Sequence, residues 1–209
     1  MKAIILILFA ISLLNISISN RLRGFARLLT FQGFLLFVLA FIQLHEVTIL
    51  NLVFILLETL VFKTIVLPLF LDYVIKKNKI TRETEPYMPY FVSLLIVSAI
   101  ILASFIIVQQ IEGLTGNTLF FIVALSTLFT GLYIIISRKK LITHMMGYIV
   151  MENGVFILSL AIGNEMPMMV NTGILIDLFI GVLVMGIFVN KIGDVFKEAN
   201  NEYLSQIKD

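Results

Sequence analysis

Long apolar runs separated by short polar breaks dominate the chain from its first residues. At a rise of 1.5 Å per residue, about 20 apolar residues cross a hydrocarbon layer about 30 Å thick. Seven stretches meet that requirement, near residues 2–19, 25–44, 48–71, 89–110, 117–137, 141–162 and 172–190. The pattern predicts an all-α polytopic bundle of about seven transmembrane helices. Most breaks are too short to fold. The longest runs from Asp72 to Pro89 and carries Lys76, Lys77, Lys79 and Arg82. It divides an N-terminal three-helix segment, 1–75, from a four-helix segment, 89–190, with a basic loop at 76–88 between them and a C-terminal tail at 191–209.

The basic residues predict an orientation, because short cytoplasmic loops collect Lys and Arg. With the N-terminus outside, Arg21, Arg23 and Arg27 fall inside, as do the loop cations, then Arg138, Lys139 and Lys140, and finally Lys191, Lys197 and Lys208. The exceptions among the 15 basic residues are Lys2, at the chain end, and Lys63, within a span. The outer loops carry Glu46, Glu112 and Glu165 instead. The C-terminus is then cytoplasmic. Met1-Lys2, an apolar run and Ser17-Ile18-Ser19 loosely resemble a cleavable signal, but cleavage would turn every later basic loop outward, so an uncleaved first helix is expected.

Composition agrees with a membrane solvent, since 60% of the residues are hydrophobic and 13% charged. A net charge of +2, in short clusters, points to no nucleic-acid partner. The chain has no cysteine, so disulfides, zinc thiolates and iron–sulfur ligation are outside its own chemistry. His45 and His144 form no metal-ligand spacing, and no phosphate-binding, dinucleotide-binding or nucleophile-elbow motif is present. No catalytic, cofactor-binding or metal-binding residue is predicted in the chain.

Ionisable residues inside the spans are the informative exceptions, because each costs at least about 2.5 kcal/mol at the bilayer centre and calls for a partner or a function. Glu58 lies roughly 15 Å below the outer end of helix 3 and Glu152 roughly 16 Å above the inner end of helix 6, both near the midplane. Asp177 lies about 8 Å down helix 7 from the outer side. Lys63 sits in the cytoplasmic half of helix 3. On an α-helix, Glu58 and Lys63 are about 140° apart, so their partners are expected on other helices or chains. For Lys63 the alternative is snorkelling to the interface. Pro68 releases the carbonyl of Thr64 and marks a helix break beside the lysine. Gly173, Asp177 and Gly181 form a stripe where another helix can approach, and Asn153-Gly154 adds a small polar surface after Glu152. These groups are the ingredients of a lateral proton relay, with His144, two turns before Glu152, as its proton-uptake group. Interhelical hydrogen bonding alone is the bland alternative. The methionines read as adaptable packing.

The segments Lys140-Leu-Ile-Thr-His-Met-Met-Gly-Tyr-Ile-Val-Met-Glu-Asn-Gly154, Met166-Pro-Met-Met-Val-Asn-Thr-Gly-Ile-Leu-Ile-Asp177 and Gly181-Val-Leu-Val-Met-Gly186 resemble the hydrogenase-4 component E family. That family supplies a small membrane subunit of group 4 hydrogenase and formate hydrogenlyase complexes. Over its last three helices it is similar to the K subunit of bacterial complex I and the C subunit of multisubunit sodium/proton antiporters. The resemblance implies a K-like bundle at 117–190, beside an antiporter-like subunit in the inner membrane of a prokaryote. It implies no cofactor in this chain, with iron–sulfur clusters or metals in partner subunits. Glu152 and Asp177 then correspond to the two membrane glutamates of the K subunit. Ile149 fills the usual place of the first glutamate and Glu152 stands three positions on; Asn171 stands where the family often has an acidic residue.

The function implied is that of a non-catalytic subunit of a complex I-like energy-converting oxidoreductase, contributing membrane carboxylates to proton or sodium translocation. The alternatives are a scaffold that docks antiporter-like subunits, and an independent transporter, which would show paired broken helices and inverted repeats. One break, at Pro68, and no internal repeat speak against the last.

Overall fold

The computed structural model describes residues 1–43, 53, 56–77, 87–111 and 117–162, with single positions at 179, 183 and 186, apart from the side chains of Glu58, Lys77 and Ile162. The span expected at 172–190 and the tail at 191–209 lie outside the described residues except for those three positions. Within them the chain is all-helical: α1 (Lys2–Ile18), α2 (Leu22–Gln43), a π-helical segment (Leu56–Val66) continuing into α3 (Leu67–Lys77), α4 (Tyr90–Gln109), α5 (Thr118–Ser137) and α6 (Leu141–Ile162). Four of these, α2, α4, α5 and α6, are long and apolar enough to cross a membrane; α1 is apolar but has 17 residues.

The surface is apolar where that of a water-soluble protein would be polar, and polar side chains turn inward among an apolar core. Large apolar side chains face outward along α4, where Phe91, Leu95, Leu102, Phe105 and Ile106 are exposed, while Gln32, Lys63, Thr127, Glu152 and Asn153 are buried. In lipid, an outward Phe or Leu loses nothing and a polar group gains by turning toward protein. Ser126 and Thr127 donate their hydroxyls to the carbonyls of Ile122 and Val123, at 2.7 and 2.6 Å, so they satisfy themselves within α5.

The tightest pair is the α5–α6 hairpin. A Cβ added at Gly131 would stand 2.5 Å from the Met151 backbone nitrogen and 2.7 Å from the Gly147 carbonyl oxygen. One at Gly154 would meet the Leu128 nitrogen at 2.7 Å. The glycines therefore let the two backbones touch. The far end of the hairpin is closed by Asn117, whose side-chain amide donates to the last-turn carbonyl of Ala161 at 2.8 Å. Helix α1 packs on α2, α4 and α5, and α2 packs on the π-helical segment, α3 and α6. Proline opens α4: Pro89 immediately precedes it and accepts the Ser93 N–H at 2.9 Å.

Basic residues collect at one end of the bundle. Arg138, following α5, donates from its guanidinium to the Ser17 carbonyl at the end of α1, 2.8 Å away. Arg23, in the first turns of α2, stands 3.5 Å from Asp72 of α3. Lys139 lies 5.1 Å over the Tyr87 ring. At the opposite end, Lys2 donates to the Gln43 side chain at 2.6 Å.

Candidate functional site

The midsection of the bundle holds a polar layer built from α1, α2, the π-helical segment and α6. Its strongest element is an ion pair: Lys63 Nζ stands 2.8 Å from Glu152 Oε1, with side chains 3% and 8% exposed. Lys63 therefore does not snorkel. Its ammonium also lies 4.5 Å from the ring centroid of Phe156, one turn beyond Glu152 on α6, so the cation meets a carboxylate and an aromatic face together. Pairing offsets the desolvation of two charges that would otherwise be prohibitive away from water.

Beside this pair runs a chain of neutral amides. Asn153 Nδ2 donates to Gln32 Oε1 at 3.2 Å, Gln32 Nε2 donates to Ser12 Oγ at 2.9 Å, and Ser12 donates to the Phe9 carbonyl at 2.6 Å. All of these side chains are buried. Gln32 and Ser12 were not among the sequence-predicted residues. The available signal was Gln32-Gly33, a polar and small pair at mid-helix in an apolar run, analogous to Asn153-Gly154.

The backbone around Lys63 explains how the lysine reaches α6. A π-helix closes its hydrogen bonds from i to i+5, so positions five apart adjoin across one turn. Glu58 and Lys63 thus occupy neighbouring positions across one turn of the backbone. This replaces the 140° separation expected of an α-helix. The Thr64 hydroxyl follows the same spacing, donating to the Thr59 carbonyl at 2.8 Å. The wide winding ends at Val66, two residues before Pro68, and the chain continues as α3 through Pro68. Gly33 of α2 accommodates the segment: a Cβ there would meet Thr64 Oγ1 at 2.9 Å and the Lys63 carbonyl carbon at 3.1 Å.

His144, in the first turn of α6, places Nε2 2.8 Å from the Arg138 carbonyl oxygen. It lies eight residues before Glu152, about 12 Å along the helix, and so does not join the ion pair directly. Asp177 and the Glu58 side chain lie outside the described residues. Near Asp177 in sequence, the Phe179 ring stands 5.9 Å from that of Phe62, the residue before Lys63, and Gly186 faces Phe70. Arg138, read from the sequence as a loop cation, is 3% exposed and stacks 5.2 Å from the Tyr90 ring. Among the described residues no group of three or more His, Asp or Glu side chains gathers as a metal site.

Fold and site together define a multi-pass helical membrane protein with a buried charge pair at mid-depth. Residues 119–209 match the family of NADH-ubiquinone/plastoquinone oxidoreductase chain 4L. Hydrogenase-4 component E of Escherichia coli is 26% identical over 132 residues, 62% of this chain and 61% of that protein, and the same protein from Shigella flexneri matches equally. An uncharacterized protein of Mycobacterium tuberculosis is 23% identical over 191 residues, 90% of this chain and 87% of that one. No solved structure matches. The resemblance to the hydrogenase-4 component E family, with a chain 4L-like last portion, is supported on both counts.

Proposed function

We propose that this chain is a non-catalytic subunit in the membrane arm of a complex I-like energy-converting oxidoreductase of the prokaryotic inner membrane, and that its buried charges carry part of a proton or sodium path. The observation that carries the reading is the Lys63–Glu152 pair, 2.8 Å apart and closed off from the surroundings between two helices. A lysine and a carboxylate in contact can exchange a proton or separate as a neighbouring charge changes, which a pair of amides cannot do.

The relay runs laterally, from Lys63 and Glu152 toward Glu58 one turn along the π-helical segment and toward Asp177. Contact of Phe179 with Phe62 supports that second direction. His144 supplies protons from the basic end. In this reading seven helices cross the membrane with the N-terminus outside and the basic end cytoplasmic; the gathering of Arg23, Arg138 and Lys139 at one end supports it. The K-like bundle at 117–190 lies beside an antiporter-like subunit, and redox cofactors belong to partner subunits.

The test is ion pumping by the intact complex in sealed vesicles, comparing the native chain with Glu152→Gln, Lys63→Met and Asp177→Asn at matched assembly. Loss of pumping with redox turnover retained is the expected result. Unchanged pumping in complexes that assemble would reduce the pair to a structural clamp and the chain to a scaffold.

A further inference from the structure

The basic end of the bundle holds a second site that the mid-depth ion pair does not use. A cleft of about 490 Å³ opens between α2 and the junction of the π-helical segment with α3. Three cations reach it, Arg23, Arg27 and Lys76, against one carboxylate, Asp72. Asp72 is already engaged by two of them: Oδ1 is 3.5 Å from Arg23 Nε and Oδ2 is 2.5 Å from Lys76 Nζ. Among the described residues Arg27 has no carboxylate within ion-pair distance. It lies one turn from Arg23 on the same face of α2, a like-charged arrangement for which Asp72 supplies a single negative charge against three cations. The hydroxyls in the cleft are committed to backbone carbonyls, Thr30 to Ala26 at 3.1 Å and Thr64 to Thr59 at 2.8 Å, which leaves Arg27 and the remaining N–H groups of Arg23 and Lys76 as its donors.

Below the cations the wall changes character. Ile65 and Leu69 line the cleft and are 48% and 65% exposed. On a membrane-spanning element, exposed aliphatic side chains face acyl chains. The cleft thus sets an excess of positive charge near a helix end directly above an apolar track. A free phosphate would use the first part only, and a water-soluble acidic partner would not use the second.

We infer that the cleft binds an anionic phospholipid, with the headgroup phosphate held by Arg27 together with Arg23 and Lys76, and an acyl chain lying along Ile65 and Leu69. Cationic pockets between transmembrane helices at the interface recognise anionic headgroups in this way. The site is independent of any relay role for Lys63 and Glu152.

The chain contains no tryptophan, so Leu69→Trp introduces a single indole reporter at an exposed position on the apolar track. The full chain carrying it is reconstituted in phosphatidylcholine vesicles containing a matched series of mole fractions of either acyl-brominated phosphatidylcholine or acyl-brominated phosphatidylglycerol. The phosphatidylglycerol form is expected to quench the indole at roughly fivefold lower mole fraction, the preference that one basic residue shows for an anionic over a zwitterionic headgroup. Adding Arg27→Gln or Lys76→Gln should reduce the preference severalfold, whereas Lys139→Gln, at the same end but stacked on Tyr87, should leave it intact. Equal quenching by the two lipids would overturn the proposal. So would equal sensitivity to Lys139→Gln, which would mean a diffuse surface charge. Inorganic phosphate at matched ionic strength should not remove the preference; if it does, the site reads free phosphate and the lipid assignment is wrong.

Discussion

Lys63 and Glu152, 89 positions apart in the chain, meet at 2.8 Å with the Phe156 ring beside the ammonium. Removing one partner leaves the other charge buried alone, which costs about 3–5 kcal/mol in comparable buried pairs, whereas removing both leaves a neutral contact. Lys63→Met and Glu152→Gln singly are therefore expected to lower thermal stability in detergent far more than the double substitution does. A double-mutant cycle measures this, and additive effects would show that the two charges do not depend on each other.

Close helix contact at glycine is the second dependence. A methyl group at Gly131 would lie 2.5 Å from a backbone nitrogen, which no side-chain rotation relieves. Gly131→Ala should push α5 from α6 and destabilise by about 1–3 kcal/mol. Gly33→Ala meets Thr64 Oγ1 at 2.9 Å and the backbone of Lys63. It should displace the π-helical segment and weaken the Lys63–Glu152 pair. Thermal melts read the first effect, and a reduced coupling in the Lys63–Glu152 cycle on the Gly33→Ala background reads the second.

Much of this was legible in the sequence, for a physical reason that also sets its limit. Charged residues interrupting apolar runs are unmistakable, so Glu152, Lys63 and the basic clusters stood out. Their pairing did not, because it depends on how each helix is rotated, and rotation around Lys63 is set by π winding that no local pattern announced. Gln32 and Ser12 escaped because an uncharged polar residue in a span faces protein or lipid with little difference in composition: Ser12 is buried, whereas Asn15, on the same helix, is exposed and bonds its own backbone. Arg138 looked like a loop cation, and only the approach of α1 shows that it caps the carbonyl of Ser17.

That cap carries a prediction of its own. Arg138 joins the end of α1 to the α5–α6 connection through one charged hydrogen bond and a stack on Tyr90. Losing a hydrogen bond of this type costs about 1.5–3 kcal/mol. Arg138→Gln should destabilise by that amount, and Arg138→Lys should recover little, because lysine lacks the planar group that stacks and donates together. Melting temperatures of the two variants decide this, and full recovery by lysine would mean that charge alone matters.

The Asp72 carboxyl is held below its ordinary value of 3.8, first by the hydrogen bond from Lys76, which together with the charges of Lys76, Arg23 and Arg27 outweighs the opposing effect of desolvation. A lowered folded-state pKa means that the stabilisation is present above pH 3.8 and is lost as pH falls through the folded value. The α2–α3 contact at Asp72 should accordingly be insensitive to pH near neutrality and weaken only in acid below the usual carboxylate range. Carbon-13 titration of the labelled Asp72 carboxyl checks this directly, and a midpoint at or above 3.8 contradicts it.

Gln32 offers a test of the neutral half of the polar layer. Its amide accepts from Asn153 at 3.2 Å and donates to Ser12 at 2.9 Å, so one side chain joins α6, α2 and α1. Gln32→Leu keeps the volume but strands a buried amide donor on α6 and removes the donor to Ser12. Leaving one buried polar group unsatisfied costs about 1–3 kcal/mol, whereas removing both partners of a bond is nearly neutral. Gln32→Leu alone should thus destabilise measurably, and adding Asn153→Leu should restore part of the loss. If the second substitution instead deepens the loss, Asn153 does more than answer Gln32, and its place next to Glu152 becomes the reason to look for that second role.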